Sequence, residues 1–385
     1  MTAAVAPGLL DEVRERLAAT PGDLSPHRVA EALRAAGRPV GDAMVLAVHD
    51  ELRRDVLGAG PLEPLLRRSG VTDVLVNGAD EVWVDCGAGL ELTGVRFPDD
   101  AAVRRLAQRL AATGGRRLDD ATPHADVRLP DGTRFHAVLA PMARPGTVVS
   151  LRVPRARVFT MEDLVAAAAV TEEGAELLAA IVAARCAFLV TGGTGTGKTT
   201  LLAGVDQGEH GGERLVLVED SSELRPAHPH VIGLEARPPN IEGAGEITLR
   251  TLVRQALRMR PDRLVVGEVR GAEVVEMLAA LNTGHAGGCG TVHANSAADV
   301  PARLEALALA AGLPRAAVHS QLAAALDVVV HVARGADGVR RVAQVGVPSR
   351  GADGLVSLEV AVSFDAAGRV ERGPAARELA RRVSP

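Results

Sequence analysis

The spacing of apolar residues in the first part of the chain is typical of α-helices. Apolar side chains recur at intervals of three and four in LLDEVRERL, VAEALRAA and AMVLAVHDELRRDVL, so each segment carries one apolar face. Pro21, Pro26, Gly37 and Pro39 separate these segments, as proline and glycine commonly do between helices. We therefore predict a helical N-terminal lead-in over residues 1–57.

Short apolar runs replace the helical pattern over residues 58–152. The runs are VTDVLVNG, EVWVDC, LELTGVRF, TRFHAVLA and GTVVSLRV, and Gly, Asp and Pro separate them, as expected for β-strands joined by turns. One helical segment, AAVRRLAQRLAATG, lies among them. The pattern predicts an α+β domain with a mostly antiparallel sheet over residues 58–152, followed by a linker over residues 153–164.

Helical and strand-like segments alternate from residue 165 onward. The strand-like runs AFLVTG, RLVLVED, RLVVGEV and CGTVHA are separated by helical runs such as EEGAELLAAIVAARC and TLRTLVRQALRMRP. This alternation is typical of a parallel sheet whose strands are connected by crossover helices. The sequence predicts an α/β domain over residues 165–345 and a C-terminal extension, a β-hairpin with a short helix, over residues 346–385.

Composition narrows the classes of partner that this chain can take. Its 385 residues suggest two or three domains. Aromatic content of 2% and a net charge of −5 argue against a basic surface on which nucleic-acid bases stack. The three cysteines, Cys86, Cys186 and Cys289, are far apart, which argues against a zinc site and a disulfide framework. We also expect no signal peptide and no membrane span.

The segment GGTGTGKT at residues 192–199 matches the phosphate-binding pattern G-x-x-x-x-G-K-[ST]. Glycines let the backbone turn its N–H groups toward phosphate oxygens, and the N-terminus of the following helix attracts the same anion. A glycine-rich turn with an accidental lysine is the alternative, but a predicted strand precedes this segment and a predicted helix follows it. We predict that a nucleotide is bound by Gly192, Gly193, Thr194, Gly195, Thr196, Gly197, Lys198, Thr199 and Thr200.

Lys198 is the only lysine among 43 basic residues. Arginine carries the positive charge everywhere else in the chain. A guanidinium is a planar fork, whereas an ammonium is a compact charge that can reach the β- and γ-phosphates within a tight loop. The hydroxyl of Thr199, the next residue, is predicted to coordinate Mg²⁺.

Acidic residues end two of the predicted strands. Glu268 follows RLVVG, and Glu219 and Asp220 follow RLVLV. Because ligands bind at the carboxyl edge of a parallel sheet, we predict that Glu268 orients an attacking water. Glu219 and Asp220 are predicted to assist catalysis and to hold Mg²⁺ through water, since Gly267 occupies the position of an acid in many P-loop proteins. The alternative is that these acids only cap the helices that follow.

Two histidines flank a glycine-rich turn in NTGHAGGCGTVHANS. His285 precedes a predicted strand and His293 ends it. The residues alone leave two interpretations open: each histidine is buried with a structural role, or it binds a metal. No acid or cysteine stands at the usual ligand spacing, which argues against a metal.

Four segments together resemble the motifs of the type II/type IV secretion ATPases, and the nearest branch is the tight-adherence (Flp) pilus assembly ATPases. These segments are GGTGTGKTT, LVLVEDSSEL, ARPPNIEGAGEITLRTLVRQALRMRPDRLVVGEVRGAE and LNTGHAGGCGTVHANS. VTDVLVNGADEVWVD and LPDGTRFHAVLAPMARPGTVVSLR resemble the N-terminal domain of that branch. The resemblance covers about residues 55–345 and implies a RecA-like ATPase domain after a smaller α+β domain.

The resemblance also implies roles for individual residues. Lys198 and Thr199 fall in the Walker A motif, Glu268 in Walker B, and Glu219, Asp220 and Glu223 in the aspartate box. His285 and His293 fall in the histidine box and are implied to sense the state of the nucleotide. Arg134 and Arg152 match arginines of the N-terminal domain that face the phosphates, and some of Arg254, Arg258 and Arg260 are implied to line a subunit interface.

The function implied is that of a cytoplasmic ATPase motor bound to the inner face of the cell membrane. It would form a homohexamer, use ATP and Mg²⁺, and drive an inner-membrane platform protein in pilus assembly or protein secretion, without nucleic acid. The alternatives are a conjugation or DNA-transfer ATPase, a nucleotide-gated assembly scaffold with little turnover and, least favoured, a small-molecule kinase. One departure from the family lies in LLAGVDQGEHGG at residues 201–212, whose apolar pattern stops at Val205.

Overall fold

The computed structural model divides into two compact units, Met1–Ala156 and Arg157–Pro385. The structure describes residues 12–13, 16–17, 25–37, 41–56, 58–87, 89–154, 159–205, 212–240 and 243–384. Much of the predicted helix over LLDEVRERL, residues 155–158 of the predicted linker, and residues 206–211 after the glycine-rich loop lie outside the described residues. The predicted domain limits stay predictions.

The N-terminal unit contains helices α1 (Pro26–Ala35) and α2 (Asp42–Val56) ahead of its sheet. Ser25 precedes α1 and its hydroxyl accepts a hydrogen bond from the backbone N–H of Arg28 (3.4 Å), which satisfies one of the free donors at the helix start. The apolar faces that the sequence pattern indicated are buried together, and they include Val29, Leu33, Val48 and Leu52.

Within the described part of this unit, six strands form one antiparallel sheet of order β3-β2-β1-β6-β5-β4. Every second side chain of β1, β2, β4, β5 and β6 is buried, as in a sheet with one covered face, whereas β3 is exposed. Helix α4 follows Asp99, whose carboxylate accepts from the N–H of Ala102 (2.7 Å), and it buries Val103, Leu106 and Leu110 in the same core as the sheet. The elements are a 3₁₀ turn (Gly60–Leu62), α3 (Glu63–Leu66), β1 (Asp73–Asn77), β2 (Glu81–Asp85), β3 (Leu90–Leu92), α4 (Asp100–Thr113), β4 (His124–Arg128), β5 (Arg134–Val138) and β6 (Val148–Arg152).

Within the described part of the C-terminal unit, nine strands form one mixed sheet of order β15-β14-β13-β12-β7-β11-β10-β8-β9. The six strands from β12 to β9 are parallel, and β13 to β15 extend the sheet with antiparallel pairs. The strands are β7 (Phe188–Gly192), β8 (Leu215–Glu219), β9 (Val231–Glu235), β10 (Arg263–Val269), β11 (Cys289–His293), β12 (Val328–Arg334), β13 (Arg340–Arg350), β14 (Val356–Phe364) and β15 (Val370–Arg372).

Helices cover both faces of this sheet, which gives two apolar cores. One core contains Leu178, Ile181 and Leu202, and the other contains Met277 and Leu304. The helices are α5 (Met161–Ala166), α6 (Glu172–Ala183), α7 (Lys198–Val205), α8 (Leu249–Ala256) with a 3₁₀ turn (Leu257–Met259), α9 (Glu273–Leu281), α10 (Val300–Ala310), α11 (Arg315–Ala325) and α12 (Ala376–Val383). The predicted α/β fold with a smaller α+β unit before it is confirmed.

Two details refine the sequence-based predictions for this unit. The predicted division at residue 345 falls inside β13, so the C-terminal hairpin continues the main sheet. Gly204 in α7 lies where a Cβ would be 2.9 Å from Cδ1 of Leu164, so a glycine lets α7 pack closely on α5. No helix in the described ranges is both long and apolar enough to cross a bilayer.

Candidate nucleotide-binding site

The glycine-rich loop connects the end of β7 to the start of α7, at the carboxyl edge of the parallel strands. Gly192 leaves β7 so close to its neighbours that a Cβ there would be 2.3 Å from the carbonyl oxygen of Val332 on β12 and 2.7 Å from Oγ1 of Thr196. Gly197 has φ +93°, a region that residues with a side chain rarely adopt. The close approach and the turn therefore both require glycine, and they produce the compact loop that phosphate binding needs.

Lys198 is the first residue of α7, and its side chain folds back into the loop. Its Nζ donates to the carbonyl oxygens of Gly192 (3.1 Å) and Gly193 (2.8 Å), and it lies 3.4 Å from Nδ1 of His293. The residue is only 7% exposed, and this burial lowers the pKa of its ammonium group. The only lysine ammonium of the chain is thus fixed at the centre of the loop.

His293 and Glu268 extend this arrangement across the neighbouring strands. Nε2 of His293, at the end of β11, lies 2.8 Å from Oε1 of Glu268 on β10. Arg270 then holds the other oxygen of Glu268 (2.6 Å) and also contacts Asp220 beyond β8 (3.1 Å). We call Lys198, His293, Glu268, Arg270 and Asp220 the charged network.

The hydrogen-bond partners of His293 indicate its tautomer. Burial and the nearby Lys198 lower its pKa, which favours the neutral ring at pH 7. A neutral ring that accepts from the Lys198 ammonium at Nδ1 must carry its proton on Nε2, from which it donates to Glu268. Burial alone would raise the pKa of Glu268, but Arg270, with His293 and Lys198, lowers it overall, so this carboxyl group is ionised.

Glu219 lies at the end of β8, but its contacts differ from those of Glu268. Its side chain is only 3% exposed, and Oε1 accepts from the backbone N–H groups of Glu223 (3.0 Å) and Leu224 (2.9 Å). Burial raises the pKa of this carboxyl group to about 7, although the two N–H groups act in the opposite direction. Glu223 itself is exposed.

The two histidines of the histidine box lie at opposite ends of β11. His293 ends the strand, whereas His285 precedes its first residue and lies 3.3 Å, through Nδ1, from the carbonyl oxygen of Ala280 at the end of α9. With a rise of about 3.3 Å per residue, the strand keeps His285 away from the charged network.

Thr199 and Thr200 lie in the first turn of α7, beside Lys198. Among the residues that the structure describes, no three His, Cys, Asp or Glu side chains form a group suited to a metal ion. A hydroxyl next to a phosphate loop nevertheless fits Mg²⁺, which is usually held by few protein ligands and by the phosphates themselves.

Arg134 and Arg152 lie side by side in the N-terminal unit. They are directly opposite each other on β5 and β6, and Arg128 on β4 is directly opposite Arg134 on its other side. Residues in register on neighbouring strands point to the same face of a sheet, so the three arginines form a row on the face away from the core.

Comparison with protein-family models identifies the family of this chain. The family model described as type II/IV secretion system protein matches residues 55–362. The chain belongs to this family. The predicted resemblance is thereby confirmed at the level of the secretion family, and the tight-adherence branch stays a prediction.

Individual members of the secretion family are also similar to this chain. A Mycobacterium tuberculosis protein named for conjugal transfer is 57% identical over 323 residues, which are 82% of this chain and 92% of that protein. The type IV secretion system protein PtlH of Bordetella pertussis is 31% identical over 310 residues, 73% of this chain and 91% of PtlH. The crystal structure of the pilus retraction motor PilT with ADP has the same fold, with a TM-score of 0.53 and 21% identity over 76% of this chain and 83% of PilT.

Two arginines of this secretion-family protein were missed by sequence reasoning. Arg270 joins two acidic residues of the charged network, and Arg128 extends the row formed by Arg134 and Arg152. The position of Arg270, two residues after Glu268, was a usable signal because it follows the same strand end. Some of Arg254, Arg258 and Arg260 are implied to line a subunit interface. Arg254 contacts Glu276 (2.7 Å), and Arg250 contacts the same carboxylate (2.8 Å). Arg258 and Arg260 are exposed.

Proposed function

We propose that this chain binds and hydrolyses ATP, and that it acts as a motor subunit of a membrane-associated transfer or assembly machine. The observation that carries the proposal is the position of Lys198. It lies within the glycine loop and is joined through His293 to the ionised carboxylate of Glu268. A phosphate-binding cation and an acid suited to orient water thus belong to one network.

Each residue type near the loop has a chemical role in this proposal. The loop N–H groups and the start of α7 bind the phosphates, and Lys198 turns from the loop carbonyls to the β- and γ-phosphates. The carboxylate of Glu268 orients the attacking water and accepts its proton. Thr199 would hold Mg²⁺, which when bound neutralises phosphate charge.

The N-terminal unit contributes to the proposed mechanism through the row of Arg128, Arg134 and Arg152, which we call the arginine row. Arg134 and Arg152 would contact the phosphates of bound ATP, and loss of the γ-phosphate would remove part of that attraction. The two units would then change their relative positions with each cycle. We propose a homohexamer at the cytoplasmic face of the membrane, which passes this motion to inner-membrane platform proteins.

The machine that this motor serves has two candidates. Pilus assembly or protein secretion is the first, and similarity to PtlH favours it. Conjugal transfer is the second, because the M. tuberculosis relative named for that process is 57% identical. Direct pumping of DNA would require salt-dependent affinity for DNA, and the net charge of −5 argues against it. A titration of labelled DNA at 50 and 200 mM salt would separate a DNA-contacting motor from one that acts through protein partners.

Hydrolysis is tested with three variants of the purified chain. Lys198→Ala should abolish ATP binding or turnover. Glu268→Gln should bind ATP with nearly unchanged affinity but lower kcat by about a hundredfold or more, since a positioned base contributes that much. Glu371→Gln, which removes an exposed carboxylate on β15, is the matched control. A wild-type rate in Glu268→Gln would refute the role of that residue, and a wild type that binds but does not turn over ATP would favour the scaffold alternative.

A further inference from the structure

Glu219 and Gly267 fit together across two neighbouring strands. β8 and β10 pair in parallel up to Val218 and Val266, so Glu219 and Gly267 are the next residues of each strand. A Cβ added to Gly267 would lie 2.7 Å from Cγ of Glu219 and 3.5 Å from its Cβ. The missing side chain of Gly267 therefore leaves the space in which the Glu219 side chain lies.

The Glu219 carboxyl group closes the turn that follows β8. One oxygen, Oε1, accepts both the N–H of Glu223 and the N–H of Leu224, and the side chain of Leu224 is buried. Two hydrogen bonds from successive amides to one oxygen fix the path of the chain between residues 219 and 224. Asp220 is the first residue of that turn, so its position depends on the same contacts.

The turn at residues 219–224 also determines where the Arg270 side chain lies. Asp220 holds Nη1 of Arg270 (3.1 Å), and Nη2 of Arg270 holds Oε2 of Glu268 (2.6 Å). An arginine held by two carboxylates has little freedom to rotate, so it limits the orientations of Glu268. Glu219 is thus connected to Glu268 indirectly: it fixes the turn, the turn positions Asp220, and Asp220 holds Arg270, which contacts Glu268.

We propose that Glu219 is a positioning residue for Glu268, and that it neither coordinates Mg²⁺ nor takes part in proton transfer. This inference rests on the proposed hydrolysis and replaces the catalytic and metal-binding roles that sequence alone suggests for Glu219. It also explains Gly267, since the position beside Glu268 cannot carry an acid while the Glu219 side chain occupies the adjoining space.

A glutamine at position 219 distinguishes a positioning role of Glu219 from a catalytic or metal-binding role. The side-chain oxygen of glutamine accepts backbone hydrogen bonds and has nearly the same shape as the carboxyl group. An amide is, however, a poor substitute for a carboxylate that binds Mg²⁺ or moves a proton. Glu219→Gln should therefore keep kcat, KM for ATP and the Mg²⁺ concentration for half-maximal rate within about threefold of wild type.

Alanine at the same position removes both hydrogen bonds. Glu219→Ala should lower kcat by about ten- to a hundredfold, because small displacements of a catalytic group have effects of this size. KM for ATP should change less than about threefold, since Lys198 and the glycine loop are unaffected. Gly267→Ala should have a similar effect on kcat, because its new methyl group collides with Cγ of Glu219.

The double variant Glu219→Ala/Gly267→Ala tests the fit directly. Without Cγ at position 219 the added methyl group has room, so Gly267→Ala should lower the thermal unfolding midpoint less in this background than in wild type. Equal effects in both backgrounds would show that the two side chains do not share one space, and would refute the proposed fit.

Hydrogen exchange of the Glu223 and Leu224 amides gives a readout that needs no turnover. Glu219→Gln should keep both amides protected, and Glu219→Ala should expose them. A Glu219→Gln variant as inactive as Glu219→Ala, or a Glu219→Ala variant with wild-type kcat, would overturn the inference. If wild-type protein showed no ATP turnover, the proposed function would fail, whereas amide exchange would still report whether Glu219 fixes the turn.

Discussion

Replacement of Glu219 by glutamine should change the pH dependence of stability. Burial raises the pKa of this carboxyl group from its ordinary value of 4.5 to about 7 in the folded chain. The folded state therefore keeps a proton that the unfolded state releases, and the stability gained from it is complete below pH 4.5 and lost as pH rises to about 7. A shift of this size corresponds to about 3 kcal/mol.

Urea unfolding of wild type and of Glu219→Gln at a series of pH values between 4.5 and 7.5 measures this effect. Glutamine carries no proton to lose, so the unfolding free energy of Glu219→Gln minus that of wild type should increase by about 3 kcal/mol across this range. Glu371→Gln, which removes an exposed carboxylate, is the matched control. A difference between Glu219→Gln and wild type that stays constant with pH would show that Glu219 is already ionised when folded, and would refute the reasoning.

Three further predictions concern the loop, the core and the arginine row. Gly192→Ala should lower the unfolding free energy by about 1–3 kcal/mol, because the added Cβ would collide with the backbone of Val332. It should also weaken ATP affinity at least about tenfold, as measured by titration with a fluorescent nucleotide. Glu213→Gln should lower the free energy of unfolding in urea by about 3 kcal/mol. It leaves the buried guanidinium of Arg263, 2.5 Å from Glu213, without a full charge partner. An unchanged unfolding midpoint would contradict this. Arg152→Gln should raise KM for ATP in the assembled protein without a change in thermal stability, and an unchanged KM would remove Arg152 from the proposed site.

The sequence was most informative where a residue acts through its neighbours in the chain. The 3.6-residue and two-residue periods predicted most helices and strands because local burial controls both patterns. The strand–loop–helix arrangement of the predicted phosphate loop was predictable for the same reason, since its strand, glycines, lysine and helix are contiguous.

The features that the sequence did not predict depend on strand order. Gly267 and Glu219 are far apart along the chain, and their fit follows only from the pairing of β8 with β10. The same order brings Arg270 to Asp220. The continuation of the main sheet through β13, β14 and β15 is also a long-range outcome, since a hairpin pattern does not state which strand it joins.

The single lysine has a practical consequence for experiments on this protein. Reagents that acylate amines can modify only Lys198 and the α-amino group, so one peptide in a digest reports on the state of the whole phosphate loop. Because Nζ of Lys198 already donates to two carbonyl groups, its acylation should be slow and should become slower when a ligand occupies the loop. Mass spectrometry of that peptide can therefore follow occupancy of the site without any introduced label.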